Sequence, residues 1–120
     1  MKFEFVLPME PEGWQRARGG FKRVKDPGTR AWQAQAAFYI KKAWGKQAAM
    51  DGPVRLTYFA VQRRPASSKK SADPTWWPTK ADWDNIGKNV SDTLEACGVV
   101  TNDSRIADAR CVKLWGPTGC

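Results

Sequence analysis

The stretch "KADWDNIGKNVSDTLEACGVVTNDSRIAD", residues 80–108, contains half of the twelve acidic residues in a chain whose formal net charge is +8. Four apolar side chains within it recur at the spacing of one helix face: Ile86, Val90, Leu94 and Cys97. This periodicity predicts a helix over residues 85–97, for which Asp84 is a suitable N-cap and Gly98 a suitable C-terminal stop. The stretch therefore combines a helix with a concentration of carboxylates.

Residues on either side predict the remaining elements. Alternating or branched apolar side chains favour strands over residues 2–7, 54–62, 99–101 and 105–115, and Thr29 can cap a helix of about residues 30–49. The order strand, helix, strand, helix, strand, strand predicts an α+β fold. We expect one small domain over residues 1–120, in which a mixed β-sheet of about four strands packs against two main helices.

The composition excludes several kinds of site. The chain has no histidine and only three cysteines (Cys97, Cys111 and Cys120), so neither a Ser/His/Asp triad nor a zinc site of four Cys and His ligands can form. No apolar run approaches the about 18 residues of a membrane span, and the first residues lack the apolar core of a signal peptide. We therefore expect a cytoplasmic protein with no membrane partner, in which catalysis would use carboxylates, lysine or a hard metal ion.

Three aspartates in the opening stretch are candidates for binding a metal ion. If residues 80–84 are extended, Asp82 and Asp84 project to the same side, and Asp103 can rejoin them through the strand that follows the helix. Two carboxylates about 4 Å apart repel by about 1 kcal/mol in water and about 4 kcal/mol near a protein surface. A Mg²⁺ or Mn²⁺ ion, which prefers oxygen ligands, would offset this repulsion, and we expect an acidic metal site over residues 82–103.

The same residues also have a purely structural interpretation. Asp84, Lys88 and Asp92 lie four residues apart along one helix face, so an N-cap and salt bridges along the helix would account for them equally well. A calcium-binding EF-hand loop does not fit, because Ile86 and Thr93 stand where its fifth and twelfth ligands belong. The residue pattern alone leaves both the metal site and the salt-bridged helix open.

Two segments that read as loops, one over about residues 8–29 and one over about 63–80, are strongly basic. Aromatic residues are interleaved with the basic ones, which is typical of surfaces that bind phosphates and stack on bases. The candidate DNA-binding residues are Arg16, Arg18, Lys22, Arg23, Lys69, Lys70 and Lys80. A solvated surface that only keeps the protein in solution is the alternative.

Two motifs in the opening stretch resemble a known family. "KADWDNIGKNVSDTL" followed by "GVVTNDSRI" is similar to the signature of RusA-type Holliday junction resolvases, KPDxDNxxKxxxDxL and then DDxxI, over about residues 78–113. The resemblance implies a Mg²⁺-dependent phage or prophage endonuclease that acts as a homodimer on four-way DNA junctions. Asp82, Asp84 and Asp103 would then be the catalytic carboxylates that bind the ion, and Lys88 would be a catalytic lysine.

The resemblance also suggests two supporting residues and contains two departures. Asn85 would orient the aspartates, and Asp92 would hold Lys88. Ala81 stands where the signature has proline, and Asn102 stands where it has the first aspartate of a pair. We expect Ala81 to loosen the backbone before the metal site and Asn102 to reduce the negative charge near the ion. Neither departure removes one of the three ligands.

The expected function is Mg²⁺-dependent hydrolysis that resolves a four-way junction by paired symmetric cuts. One alternative is a metal-dependent nuclease for other branched DNA, such as flaps or forks. The other is a non-catalytic basic DNA-binding module, in which the aspartates only form salt bridges with Lys88 and Arg105. Dependence on a divalent ion separates these hypotheses, because a binding module would hold DNA with or without the ion and would not cut it.

Overall fold

A computed structural model describes residues 2–13, 27–64, 76 and 82–118 of the chain. Its elements are, in order, helix α1 (Pro27–Trp44), strand β1 (Val54–Arg64), helix α2 (Trp83–Ala96), a 3₁₀ turn (Asp103–Arg105) and strand β2 (Ile106–Thr118). β1 and β2 are parallel, so the chain crosses from one strand to the other through α2. All seven candidate DNA-binding residues lie outside the described residues.

The sheet is smaller than the sequence predicts. In the described ranges it has two strands, β1 and β2, which pair in parallel along their lengths. Single bridges also join Met50 to Val100 in parallel and Trp76 to Leu114 in antiparallel orientation. These elements are consistent with an α+β fold, but a mixed sheet of four strands is not confirmed. Residues 99–101 contribute one bridge and not a strand.

Side chains in the N-terminal segment, residues 2–7, alternate between exposed and half-buried as in a strand, but the backbone is not paired as a strand. Residues 2–7 form no strand, so that prediction is wrong. Phe3, Phe5 and Leu7 are half-buried and pack against the core, and the rings of Phe3 and Trp44 make a T-shaped contact with centroids 4.9 Å apart. The alternation correctly indicated a buried face, whereas a strand also requires a backbone partner that the described residues do not provide.

The main core lies between the two helices. α1 contributes one buried side chain per turn: Trp32, Ala36, Ile40 and Trp44. These pack against apolar side chains of α2 and of the turn after it: Val90, Leu94, Val99 and Val100. A smaller buried cluster is formed by Ala60 of β1 and Ile86 of α2, and Tyr58 packs against both clusters. α2 is therefore in contact with apolar side chains of α1 and of the sheet.

Asn89 is a fully buried polar residue on the core side of α2. Its side chain accepts a hydrogen bond from Gln33 Nε2 of α1 at 2.7 Å and donates one to the Glu12 carbonyl at 2.9 Å. The buried Thr93 hydroxyl donates to the Asn89 backbone carbonyl at 2.8 Å. Because a buried amide is stable only when it is hydrogen-bonded, Asn89 fixes α2 relative to α1 and to the N-terminal segment.

α1 begins and ends earlier than predicted. It starts at Pro27, in the position that proline favours, so Thr29 lies buried inside the first turn and is not the cap. It ends at Trp44 and not near residue 49, because Gly45 has a left-handed φ of 69° that stops the helix. No helix in the described part of the chain is long and apolar enough to cross a membrane.

α2 lies close to its predicted position, but its cap differs. The N-cap is Asp82, with an extended backbone at φ −66° and ψ 145°, and its side chain makes no capping hydrogen bond. Asp84, the predicted cap, lies in the first helical turn, where a negative charge is favourable. An extended backbone through Asp84 is therefore wrong. Gly98, at φ 75°, is confirmed as the stop after the helix.

Gly98→Ala should lower the free energy of unfolding by about 1–2 kcal/mol, because an alanine resists the left-handed backbone. Gly52→Ala is the matched control, since Gly52 has no left-handed φ and, as at Gly98, an added Cβ would meet no atom within 4 Å. The control should change stability by less than about 0.5 kcal/mol. Urea unfolding of both variants measures the difference, and equal stabilities would contradict the role of Gly98.

Candidate active site

A pocket of about 260 Å³ lies between α2, the 3₁₀ turn and the sheet. Its charged lining residues are Asp84, Lys88, Asp103 and Arg110. Three of these are catalytic candidates from the sequence, so the structure brings Asp84, Lys88 and Asp103 to one pocket. The remaining candidate, Asp82, is not among the lining residues.

α2 presents Asp84 and Lys88 on its exposed side, one helical turn apart, and Ser91 follows in the same pocket wall. The opposite side of α2 is buried. The Asp84 carboxylate accepts a hydrogen bond from the Asn85 backbone N–H at 3.0 Å. Because the core fixes the rotation of α2 about its axis, it also fixes the direction in which these two charged residues leave the helix.

Asp103 reaches the pocket from the 3₁₀ turn, before β2 begins. Its backbone N–H donates to Glu95 Oε1 at 3.0 Å, so the turn is tied to the last turn of α2. The Asn102 side chain caps the 3₁₀ turn by accepting from the Ser104 backbone N–H at 2.9 Å. Asparagine and aspartate serve this capping role equally well, so the departure from the signature at Asn102 leaves the turn intact.

The metal-binding group of three aspartates stays a prediction. The described residues contain no set of three or more His, Cys, Asp and Glu side chains placed to hold a metal ion. Asp84 and Asp103 share the pocket, whereas Asp82 lies at the N-cap of α2. The supporting roles of Asn85 and Asp92 also stay predictions; both residues are half-buried in α2, and neither lines the pocket.

Neutral side chains complete the pocket wall. Burial raises the pKa of Tyr58 to about 12, and the neighbouring Cys111 adds to this rise. Burial also raises the pKa of the Cys111 thiol, while the charge of Lys113 lowers it. Both groups are therefore uncharged at neutral pH. Trp83 is also in the wall, and 60% of its surface is exposed.

Sequence reasoning missed Trp83, Tyr58 and Arg110 as pocket residues. Trp83 stands between the two aspartates of the first motif, so its position was a usable signal. Tyr58 and Arg110 are in the wall because β1 and β2 pair in parallel, with Tyr58 beside Cys111 and Thr57 beside Arg110. A single amino-acid sequence does not indicate the register between two strands that are separated by about forty residues of chain.

A small α+β domain that lines one pocket with carboxylates, cations and exposed aromatic surface has the features of a nucleic-acid-processing protein. Comparison with family models identifies the group: the model described as endodeoxyribonuclease RusA matches residues 6–119, nearly the whole chain. The chain belongs to the RusA family of endodeoxyribonucleases, which resolve Holliday junctions. The resemblance seen over residues 78–113 is thereby confirmed. A comparison with curated proteins found no match.

The raised pKa of Tyr58 predicts a loss of stability in alkali. Between the ordinary tyrosine pKa of 10.0 and the folded value of about 12, the unfolded chain ionises Tyr58 and the folded chain does not, so the free energy of unfolding falls as pH rises through this window. Tyrosinate absorbance during a pH titration should contain a step near pH 12 that Tyr58→Phe removes. Tyr39→Phe should leave this step in place, and a step that survives Tyr58→Phe would contradict the assignment.

Proposed function

We propose that the protein is a Mg²⁺-dependent, structure-selective endodeoxyribonuclease that resolves four-way junctions by paired symmetric cuts. The observation that carries the proposal is the single pocket lined by Asp84, Lys88 and Asp103, in a chain whose family cleaves DNA. Carboxylates and lysine are the groups with which a protein without histidine can catalyse phosphodiester hydrolysis.

The donor chemistry of the aspartates fits a hard divalent ion such as Mg²⁺ or Mn²⁺. No salt bridge among the described residues involves Asp82, Asp84 or Asp103. Arg105, which could have neutralised one of them, is paired with Asp51 at 3.1 Å. Carboxylate oxygens are ligands that such ions prefer. The three aspartates would hold the ion, which supplies Lewis acidity and lowers the pKa of bound water.

The other pocket residues act on the DNA itself. Lys88 lines the same pocket as Asp84 and Asp103, where its ammonium group can stabilise negative charge on the phosphate during hydrolysis. Arg110 adds a second cation to the pocket wall and can bind a neighbouring phosphate. The exposed ring of Trp83 offers a stacking surface for a base or sugar. The basic segments over about residues 8–29 and 63–80 would hold the flanking phosphates.

The proposal includes a homodimer. A four-way junction is two-fold symmetric, and paired cuts in opposed strands require two pockets related by the same symmetry. Each protomer would therefore contribute one pocket to one junction. A nuclease that acts on flaps or forks has no such requirement, so the symmetry of the cuts separates the two candidates.

Asp84→Asn tests the proposed function. We expect the wild-type protein to make symmetric paired nicks in a synthetic four-way junction with Mg²⁺ and none with EDTA. Asp84→Asn should lower the cleavage rate at least about 10²-fold, because a carboxylate beside the reacting phosphate is lost. Gel analysis of end-labelled junction, linear duplex and a three-way fork measures both the rate and the selectivity.

Asp108→Asn is the matched control, since Asp108 is an exposed aspartate paired with Arg55 and does not line the pocket. It should cleave at the wild-type rate. Equal cleavage of forks and junctions would favour the broader nuclease. Tight junction binding without cleavage, unchanged by Asp84→Asn, would leave a DNA-binding module.

Gly87→Ala should separate stability from activity. Gly87 lies inside α2 and lines the pocket, and an added Cβ would meet no atom within 4 Å. Alanine should raise the free energy of unfolding by about 1 kcal/mol, because glycine is a poor helix former. The added methyl group would enter the space proposed for DNA, so junction cleavage should fall by about tenfold or more. A more stable variant with full activity would show that DNA does not approach this wall.

A further inference from the structure

Asp51 lies in the connection between α1 and β1, outside both sequence motifs, and contacts the segment that carries Asp103. The Thr101 hydroxyl donates to Asp51 Oδ1 at 2.6 Å, and Arg105 Nε donates to the same oxygen at 3.1 Å. Thr101 and Arg105 stand two residues before and two residues after Asp103. One carboxylate oxygen therefore holds both sides of the turn that presents Asp103.

Backbone hydrogen bonds reinforce the same connection. The Met50 N–H donates to the Val99 carbonyl at 2.8 Å, and the Thr101 N–H donates to the Met50 carbonyl at 3.0 Å. Val99 and Val100 are almost completely buried, so the start of this segment is also fixed by the core. From Thr101 onward the side chains are more exposed and lie outside the core. In this part of the segment, Thr101 and Arg105 are held by their hydrogen bonds to Asp51.

The side chain of Asp103 depends on this support for its direction. It is exposed, and the described residues give its carboxylate neither a hydrogen bond nor a salt bridge. Its backbone N–H donates to Glu95 of α2, while the Asp51 contacts are made two residues before and two residues after Asp103. The position of the carboxylate is therefore set by the backbone of the turn and not by contacts of its own.

We propose that Asp51 is a positioning residue for Asp103: by accepting hydrogen bonds from Thr101 and Arg105, it holds the 3₁₀ turn so that the Asp103 carboxylate faces the pocket. The proposal rests on the proposed function, in which Asp103 helps to bind a divalent ion. Residues that orient a ligand from outside the site typically change metal affinity or activity by about 10- to 100-fold when they are removed. An exposed ion pair that served only stability would contribute little.

Asp51→Ala tests the proposal with readouts beyond activity. The exchange rate of the Asp103 backbone N–H, measured by NMR, should rise at least about tenfold, because the turn opens more often. The dissociation constant for Mn²⁺, measured by calorimetry without DNA, should rise by about tenfold or more. The Mn²⁺ concentration for half-maximal junction cleavage should shift in the same direction, with little change in the maximal rate. Junction affinity in EDTA should stay the same.

Two variants give the matched comparison. Asp108→Ala breaks another exposed Arg–Asp pair, Arg55 Nε to Asp108 Oδ2 at 2.8 Å, and should leave all these values at wild-type levels. Asp51→Asn keeps an oxygen that can accept both hydrogen bonds and should restore most of the Mn²⁺ affinity. Asp51 and Asp108 are both exposed, so Asp51→Ala and Asp108→Ala each remove one surface charge. A difference between these two variants therefore does not come from the loss of charge alone.

The outcomes separate this proposal from the proposed function. A wild-type protein that neither binds Mn²⁺ nor cuts junctions would overturn both. An active wild type with Asp51→Ala indistinguishable from Asp108→Ala would overturn only the role of Asp51. A large fall in melting temperature in Asp51→Ala, with Mn²⁺ affinity unchanged in the folded protein, would reduce Asp51 to a stabilising residue and also overturn the proposal.

Discussion

The hydrogen bonds of the buried Asn89 side chain are the constraint on which the candidate site depends. They join α2 to Gln33 of α1 and to the Glu12 carbonyl of the N-terminal segment. Loss of the amide would remove the hydrogen bonds to the half-buried Gln33 and Glu12, at a cost of about 0.5–1.5 kcal/mol for each bond. Lys88 comes directly before Asn89 in the helix and lines the pocket. A rotation of α2 would therefore disturb the buried amide and the charged face together.

The pocket combines two kinds of wall that serve different purposes. Its charged residues lie on exposed positions of α2, the 3₁₀ turn and β2. Its neutral wall includes Tyr58 and Cys111, whose burial raises their pKa values and keeps them uncharged. The carboxylates and cations thus face an uncharged surface continuous with the core. A phosphate bound as proposed would therefore meet charged groups on one wall and an uncharged surface on the other.

The parts of this structure that were predictable from sequence are those that local pattern determines. The 3.6-residue period located α2, and the left-handed preference of glycine located its end at Gly98. The two motifs identified the family and three residues that share the pocket, namely Asp84, Lys88 and Asp103. The start of α2 was misjudged because an aspartate at the N-cap and one in the first turn both favour a helix N-terminus.

The remaining features arise from contacts between distant parts of the chain. Alternation over residues 2–7 indicated burial but could not reveal that the described part of the chain offers this segment no strand partner. The parallel register that places Tyr58 beside Cys111 cannot be predicted from the sequence of β1 or of β2 alone. Asp51 lies about fifty residues before the segment that it contacts. In the sequence, nothing distinguishes this aspartate from any other aspartate on a protein surface. Such contacts become visible only when the fold is known.

The parallel pairing of β1 and β2 has a consequence for how the enzyme becomes active. Parallel strands need a long crossover, and here the crossover itself contains α2 and the turn that bears Asp103. The entropy of closing this loop must be overcome before the strand contacts form, so high contact order makes the step slow. A chain that has collapsed but has not yet paired these strands has no assembled pocket, because Tyr58 of β1 and Cys111 of β2 come together only in the paired sheet. The candidate site therefore forms together with the parallel sheet and not before it.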